Sequence, residues 1–317
     1  MTQAAAQITA SEALDRWLKA CAQNPWAALS PQAAMPYAYI WRSWVRYLGD
    51  TDWTHATGLE LLAFLNSIEQ AKASRHAASD VTRRRYWRVI DRIYEHGQLF
   101  DYCQNNPAQE IAQADRPPQE VTSGAILTPR MWAALESGLP EPRDAVSARD
   151  RAALMAFMEL GITPQELSNI NLHDCAAHGL RITGPRTPQN RTLSISPELA
   201  SAIQSYQGMR MLMGHSANSD ALFVSREEPR ISPQTMQRIA TKYIRACAHR
   251  NKLPEPVQLG AQVIRNTSLL YRLLSGSPLS EVVAFAGLKS PRAFTHLRDH
   301  LPQKLRAVIA TSDIAND

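Results

Sequence analysis

The sequence predicts a mainly α-helical protein with two domains: an all-helical N-terminal domain and a C-terminal domain of helices with one small antiparallel sheet. Apolar residues recur at three- and four-residue steps along most of the chain, as in amphipathic helices. Only residues 179–196 carry two short alternating segments. Six of the seven tryptophans precede residue 118, and residues 113–126 are polar with a proline pair. We therefore assign 1–117 to the first domain, 118–126 to a linker and 127–317 to the second domain.

The first domain opens with two helix-start signals. Thr9 and Glu12 have the spacing of a capping box, and Ser30 followed by Pro31 is typical of a helix N-terminus. An apolar stripe then follows at helical spacing, and we expect Pro36 to kink its helix near the start. The stripe consists of Tyr37, Ile40, Trp41, Trp44, Val45 and Leu48.

Two further helices complete this domain. Residues 58–70 predict a short helix, and a longer one follows with Trp87, Ile90, Ile93 and Tyr94 on its apolar face. The polar faces of this longer helix are rich in arginine. We expect four or five helices and no strand in this region.

The second domain begins with a helix at Thr128–Pro129, and two more follow over residues 148–161 and from residue 163. The segments 179–184 and 191–196 predict a hairpin, because both alternate and a proline-bearing turn separates them. Ser-Pro pairs then open two helices, at Ser196 and Ser232. We expect the last helices near 261–275, 278–287 and 291–309.

The charge and cysteine content limit the classes of function. The formal net charge is +5, and all of this excess lies after residue 117, which favours an anionic partner for the second domain. The four cysteines have no close spacing, so we expect no metal site and no cofactor. No apolar run reaches the length of about 20 residues that spans a membrane, and the N-terminus does not resemble a signal peptide. We expect a cytoplasmic, nucleoid-associated protein.

Five segments of the chain, taken in order, resemble the tyrosine recombinase or phage integrase family. They cover residues 79–111, 148–175, 180–203, 221–253 and 260–297. The resemblance implies an N-terminal core-binding domain of the SAM-like kind and a C-terminal catalytic-like domain, which together form a clamp around double-stranded DNA. It also implies a chemistry in which a tyrosine attacks a DNA phosphate, with arginines stabilising the transition state and a lysine protonating the leaving oxygen.

Most of the family's catalytic positions hold other residues here. Of the set that the resemblance implies, Arg265 alone is clearly kept, and residues 280–317 contain no tyrosine. We therefore expect no catalytic residues and a non-enzymatic protein. The corresponding positions are Thr163 for the first arginine, Arg186 for the lysine, Gln262 for the first histidine, Arg265 for the second arginine, Leu288 for the second histidine and Leu297 for the tyrosine.

Basic side chains are the candidates for DNA contact, because each one that meets a phosphate releases condensed counterions. Arg265 has two interpretations, a phosphate contact or an ion pair with a carboxylate such as Glu166. The C-terminal helix packs either on a neighbouring protomer or on its own chain. The predicted DNA contacts are Arg83, Arg84, Arg85, Arg88, Arg186, Arg191, Arg238, Lys242, Arg245 and Arg265.

Three hypotheses remain open from the sequence. The first is a sequence-specific DNA-binding protein, alone or as a homodimer or higher oligomer on DNA, that acts in transcription regulation or as an accessory to a mobile element. The second is an active site-specific recombinase whose nucleophile is displaced, with Tyr271 or Tyr243 as candidates, or supplied by a partner. The third is a protein-interaction adaptor that has lost DNA binding.

Overall fold

The computed structural model describes residues 8–23, 29, 31–72, 80–118, 123–184, 190–214 and 216–314, without the side chains of 32, 69–72 and 310–314. The chain forms two compact units, Met1–Val121 (unit 1) and Thr122–Asp317 (unit 2). The division falls inside the stretch that the sequence predicts as a linker. Each unit has a hydrophobic core of its own.

The described residues of unit 1 form helices and connecting segments, with no strand among them. The capping box at its first helix is confirmed, because the Thr9 amide donates to Glu12 Oε2 at 2.8 Å and the Glu12 amide donates to Thr9 Oγ1 at 3.2 Å. The second helix is one element on both sides of Pro36. The helices are α1 (Ala10–Gln23), α2 (Pro31–Leu48), α3 (Gly58–Lys72), α4 (Asp80–Leu99) and the short α5 (Pro107–Glu110).

Three tryptophans of unit 1, Trp41, Trp44 and Trp53, combine apolar burial with hydrogen-bonded indole N–H groups. Trp44 Nε1 donates to the hydroxyl of Tyr94 at 3.3 Å, and that hydroxyl donates to the carbonyl of Trp53 at 2.6 Å. Trp41 and Trp53 donate to the carbonyls of Ala10 and Ile8. These bonds let three large aromatic rings fill the core with their donors paired, which stabilises their packing. The buried Nε1 of Trp87 has no hydrogen-bond partner among the described residues.

Unit 2 contains most of the chain's helices and its sheet. Its helices are α6 (Pro129–Ser137), α7 (Ala145–Leu160), α8 (Pro164–Asn169), α9 (Pro197–Arg210), α10 (Pro233–Arg250), α11 (Ala261–Leu274), α12 (Leu279–Phe285) and α13 (Gln303–Ile314). Helix α7 packs on α9 and α11 at the centre of the core. It begins at a capping box between Asp144 and Ser147 and ends at Gly161, whose φ of 54° is left-handed.

The predicted hairpin is confirmed, and the structure adds a third strand. Strand β2 (Gly179–Ile182) pairs antiparallel with β3 (Arg191–Ser194), and β1 (Cys175–Ala176) pairs antiparallel with the other edge of β2. The register places Leu180 opposite Leu193, so both apolar residues enter the core. Two residues are too few to produce an alternating pattern, which is why the sequence gives no sign of β1.

The prediction of a single helix over residues 291–309 is wrong. A 3₁₀ segment, Pro291–His300, precedes α13, and Leu301 between them is extended with ψ 148°. Pro302 is the physical reason, because the residue before a proline is disfavoured in helical conformation. Leu297, Leu301 and Ile309 are buried in one cluster, so α13 packs on its own chain.

Arg210 fastens an irregular segment to the end of α9. Its side chain is buried and donates to four carbonyls, with Nη2 2.6 Å from the oxygen of Ser219 and Nη1 3.1 Å from that of Ser216. The carbonyls of Ala221 and Leu222 accept from the same guanidinium.

Among the described helices, none is long and apolar enough to cross a membrane.

We predict that Arg210→Met destabilises unit 2 by about 2–4 kcal/mol, because buried carbonyls lose their donors. The measurement is urea unfolding followed by circular dichroism. Arg226→Met is the matched control, since Arg226 is exposed, and should change the free energy of unfolding by less than about 0.5 kcal/mol. Equal unfolding midpoints for the two variants would contradict this role of Arg210.

Candidate functional site

The N-terminus of α8 places a buried carboxylate at the centre of the candidate site. Thr163 caps this helix, and its amide and hydroxyl donate to Glu166 Oε2 at 2.8 and 2.9 Å. The Glu166 amide donates back to Thr163 Oγ1 at 3.2 Å. Thr163, the position of the family's first arginine, therefore serves here as a helix cap that holds Glu166 in place.

Two arginines from distant parts of unit 2 surround this carboxylate. Arg191 on β3 donates to Glu166 Oε1 at 2.7 Å and to the carbonyl of Phe285 at 2.6 Å. Arg265 on α11 lies 3.8 Å from Glu166 Oε2 and donates to the carbonyls of Gly161 and Ala286. We call Glu166, Arg191 and Arg265 the charge centre. All three side chains are less than 10% exposed.

Burial and pairing set the protonation of the charge centre. Burial raises the pKa of Glu166, but the hydrogen bonds from Arg191 and Thr163 and the two positive charges outweigh it, so its pKa lies below the ordinary value. Burial also lowers the pKa of Arg265, and Glu166 partly reverses this effect. Arg265 stays charged at neutral pH because the ordinary pKa of an arginine is so high. The carboxylate therefore neutralises part of a doubly positive centre.

The side chains at the other positions that the resemblance compares with catalytic residues contact neighbouring parts of unit 2. Gln262 donates to Asn266 Oδ1 at 2.8 Å. Leu288 packs against the cluster that also contains Leu297, and Leu297 is completely buried there beside Phe294. Arg186 lies outside the described residues. Leu288 and Leu297 thus fill space in an apolar cluster, and neither side chain carries a nucleophilic group.

His296 sits beside Leu297 and contacts the segment that enters unit 2. Its Nε2 is 3.3 Å from Asn266 Oδ1, and Asn266 also donates to the carbonyl of Ala125 at 3.0 Å. Burial lowers the pKa of His296, and the nearby Arg265 lowers it further, while the Ala293 carbonyl opposes the shift. No pattern in the sequence indicates Asn266, whose side chain joins α11 to this segment.

The two tyrosines considered as displaced nucleophiles are packed aromatics. The ring of Tyr271 lies edge-on to that of Trp132, with centroids 5.5 Å apart. Tyr243 packs against the main core of unit 2 and lies under the ammonium group of Lys242. Burial is the main cause that raises the pKa of both hydroxyls, the opposite of nucleophile activation.

The structure separates the predicted basic residues of α4 into two groups. Arg83 is bonded to Asn66 and Asp80, and Arg84 donates to the carbonyl of Pro117 and covers the ring of Trp87. Arg85 and Arg88 are exposed, and Arg92, which the sequence analysis did not select, is exposed on the same face. We call Arg85, Arg88 and Arg92 the α4 stripe.

Helix α10 carries a second exposed basic face. Arg238, Lys242 and Arg245 recur at steps of four and three, and the exposed His249 extends the series by one turn. Arg245 is also 2.9 Å from Glu255, an exposed pair that contributes little stability. We call these four residues the α10 stripe.

The prediction that Arg191 and Arg265 contact DNA does not agree with their positions. Both guanidiniums point inward and donate to main-chain carbonyls, so neither is presented on an exposed surface. For Arg265, the interpretation as a partner of Glu166 agrees with the geometry.

Over the described residues, no three His, Cys, Asp or Glu side chains are grouped to hold a metal ion.

Curated proteins with similar sequences are tyrosine recombinases. The chain is 28% identical over 198 residues to tyrosine recombinase XerC of Caldanaerobacter subterraneus subsp. tengcongensis, covering 61% of this chain and 52% of that protein. It is 25% identical over 233 residues to XerC of Pseudomonas putida F1, covering 72% and 73%. The match to the first therefore spans about half of that relative's length. No model of a protein family matches the chain.

Solved structures of DNA complexes share the fold. A lambda integrase dimer bound to a COC' core site aligns with a TM-score of 0.63 at 16% identity, covering 92% of this chain and 78% of the integrase. XerH recombinase bound to a palindromic difH substrate gives 0.67 at 14%, covering 95% and 85%. The Tn1549 transposon integrase with a circular intermediate DNA gives 0.70 at 12%, covering 97% and 100%.

We predict that Glu166→Gln destabilises unit 2 by about 3 kcal/mol at neutral pH, because it leaves two buried guanidiniums without a counter-charge. The wild-type advantage should be full above pH 4.5, the ordinary pKa of the group, and should be lost as the pH falls through the lower folded-state pKa. Urea unfolding across pH measures it, with the exposed Glu198→Gln as control. A difference that does not change with pH would contradict the charge assignment.

Proposed function

The chain is a relative of the tyrosine recombinases and has their fold, and from this premise we propose that it binds double-stranded DNA without cutting it. The relatives are named recombinases, and three structural neighbours were solved on DNA. The observation that carries the proposal is the difference between the buried and the exposed basic side chains. The arginines of the charge centre point inward, whereas α4 and α10 each carry a stripe of cations that are exposed to solvent.

The two stripes have the form expected for phosphate contact. From Arg238 to His249, the α10 stripe extends about 16 Å along its helix, which brings several cations within reach of successive phosphates. The α4 stripe supplies three arginines, and arginine forms bidentate bonds with phosphate. Contacts of this kind position DNA and give salt-dependent affinity, while sequence preference depends on base contacts.

The same positions support the proposal that the protein does not cleave strands. The side chain at the nucleophile position, Leu297, has no hydroxyl and is fully buried. Thr163, at the position of one transition-state arginine, is engaged as a helix cap, and Arg265 donates to carbonyls. Losing one such donor typically costs about 10²–10³ in rate, and losing the nucleophile removes the covalent route.

We further propose a regulatory or accessory role, such as assistance to a mobile element, in which the protein occupies a specific site as an oligomer. Lambda integrase, a structural neighbour, was solved as a dimer and as a tetramer on DNA. The alternative function is an active recombinase, favoured by the names of the curated relatives. It requires a nucleophile such as Tyr271 or one from a partner.

For DNA binding, we predict a gel-shift affinity that falls steeply as salt rises. Lys242→Ala should weaken binding and reduce the slope of log K against log salt by about one. Arg143→Ala is the matched control, because Arg143 is exposed but paired with Glu141, and its slope should not change. If both variants bind like the wild type, the α10 stripe is not a phosphate contact.

For chemistry, we predict that suicide DNA substrates give no covalent protein–DNA adduct with the wild type. Leu297→Tyr should also form none, since the first arginine and both histidines of the family's set are still missing. Denaturing gels of labelled DNA measure this outcome. A phosphotyrosyl adduct that Tyr271→Phe abolishes would establish the alternative and overturn the proposal.

A further inference from the structure

A groove lies between α1 and α2 in unit 1. It encloses about 740 Å³, a volume within the range of sites that bind small organic molecules. The ring of Trp17 packs edge-on against Tyr37, and the Leu29 amide donates to the carbonyl of Cys21. The two helices therefore run antiparallel, and the groove follows α2 along most of its length.

The end of the groove nearest the connection between the two helices is apolar. Leu29 and Pro31 line this end, and Ala22 lines it from α1. Ala34 and Ala38, one turn apart on α2, line the next stretch. Because alanine side chains are short, they leave space that larger residues would fill. An alkyl chain placed there loses contact with water, which favours its binding.

Two exposed side chains form the outer rim of this apolar stretch. Met35 is 70% exposed and Tyr39, one turn later, is 63% exposed, and both line the groove. The unbranched thioether of methionine adapts its shape to what it covers. A tyrosine ring can cover an apolar chain while its hydroxyl stays in water. The rim is therefore suited to enclosing a flexible apolar ligand.

Positive charge is grouped at the other end of the groove. Arg42 and Arg46 lie one turn apart on α2 and line that end together with Ser43. Lys19 stands on the α1 rim. These three cations are exposed, and among the described residues none of them forms an ion pair. Like charges one turn apart destabilise a helix, so an anion held by both arginines stabilises this end.

The order of these features along the groove selects one kind of ligand. From Pro31 to Arg46, the lining changes from apolar to basic over about 22 Å of helix. A DNA phosphate would contact the arginines and leave the apolar end uncovered. An amphipathic helix distributes its charges along a whole face, whereas the two arginines are grouped at one end. A long-chain carboxylate has an apolar tail for one end and an anionic head for the other.

We propose that this groove binds a free long-chain carboxylate. The alkyl chain lies along Ala34 and Ala38, and the carboxylate accepts hydrogen bonds from Arg42 and Arg46. Guanidinium groups suit this role because they form short, charge-assisted bonds to carboxylates. Lys19 adds positive charge from the opposite rim.

The site belongs to unit 1 alone. Its lining comes from α1, α2 and the residues that join them, and binding requires neither DNA nor a second copy of the chain. The proposal therefore stands independently of the proposed function. A chain that fails to bind DNA could still bind the carboxylate, and the reverse also holds.

The first test is equilibrium dialysis of the full chain against dodecanoate, without DNA and below the concentration at which this ligand forms micelles. The wild type should bind dodecanoate in a saturable manner. Dodecanol has the same alkyl chain and no charge, and it should bind about tenfold more weakly or less. A wild type that does not bind dodecanoate overturns the proposal, as does equal binding of the alcohol.

The second test changes each end of the groove. Ala22→Trp fills the apolar end and should abolish binding, and circular dichroism should show a kept fold because Ala22 is exposed. Arg46→Ala should weaken binding by about tenfold. Arg16→Ala is the matched control, since Arg16 is exposed on α1 and covers the ring of Tyr102 outside the groove. If all three variants bind dodecanoate equally, the ligand lies elsewhere and the proposal is wrong.

The third test separates a free carboxylate from other anionic partners. The wild type should not sediment with vesicles of phosphatidylglycerol. If it does so through Arg46 and does not bind free dodecanoate, the groove is a membrane-binding surface. If Arg46→Ala instead weakens only gel-shift binding and leaves dodecanoate binding unchanged, the basic end contacts DNA. Either of these two results overturns the proposal.

Discussion

One buried carboxylate holds the core-facing ends of several elements of unit 2 together. Glu166 accepts from the cap of its own helix and from Arg191 on β3, while Arg265 on α11 lies close to it. The two arginines in turn bind the carbonyls that end α7 and α12. A buried charge destabilises a protein unless it is paired. Moving any one of these elements therefore leaves the remaining buried charges without their partners.

This constraint gives the buried positive charges a structural role that differs from that of the exposed ones. The two arginines of the charge centre face inward and donate to main-chain oxygens, so they stabilise the packing of unit 2. The stripes on α4 and α10 have exposed cations at helical spacing. On the proposed function, a scaffold with this distribution keeps surfaces suited to a polyanion. The positions that the family resemblance assigns to catalysis hold Thr163, Gln262, Leu288 and Leu297.

The sequence predicted the features that depend on near neighbours. The capping box at Thr9, the helices before residue 291 and the β2–β3 hairpin each arise from residues a few positions apart, and the structure confirms them. Features set by distant contacts were not predictable. Arg191 is separated from Glu166 by 25 residues and from Phe285 by 94, so no local pattern indicates that it turns inward. The break at Leu301 was missed because the apolar spacing continues past Pro302.

The uneven placement of tryptophan has a spectroscopic consequence. Six of the seven indoles belong to the first unit, and Trp132 alone represents the second. Trp41, Trp44 and Trp53 are buried and hydrogen-bonded, so their emission shifts to longer wavelength when that unit opens to water. Intrinsic fluorescence thus reports mainly on one half of the molecule, and ellipticity is needed to follow the other.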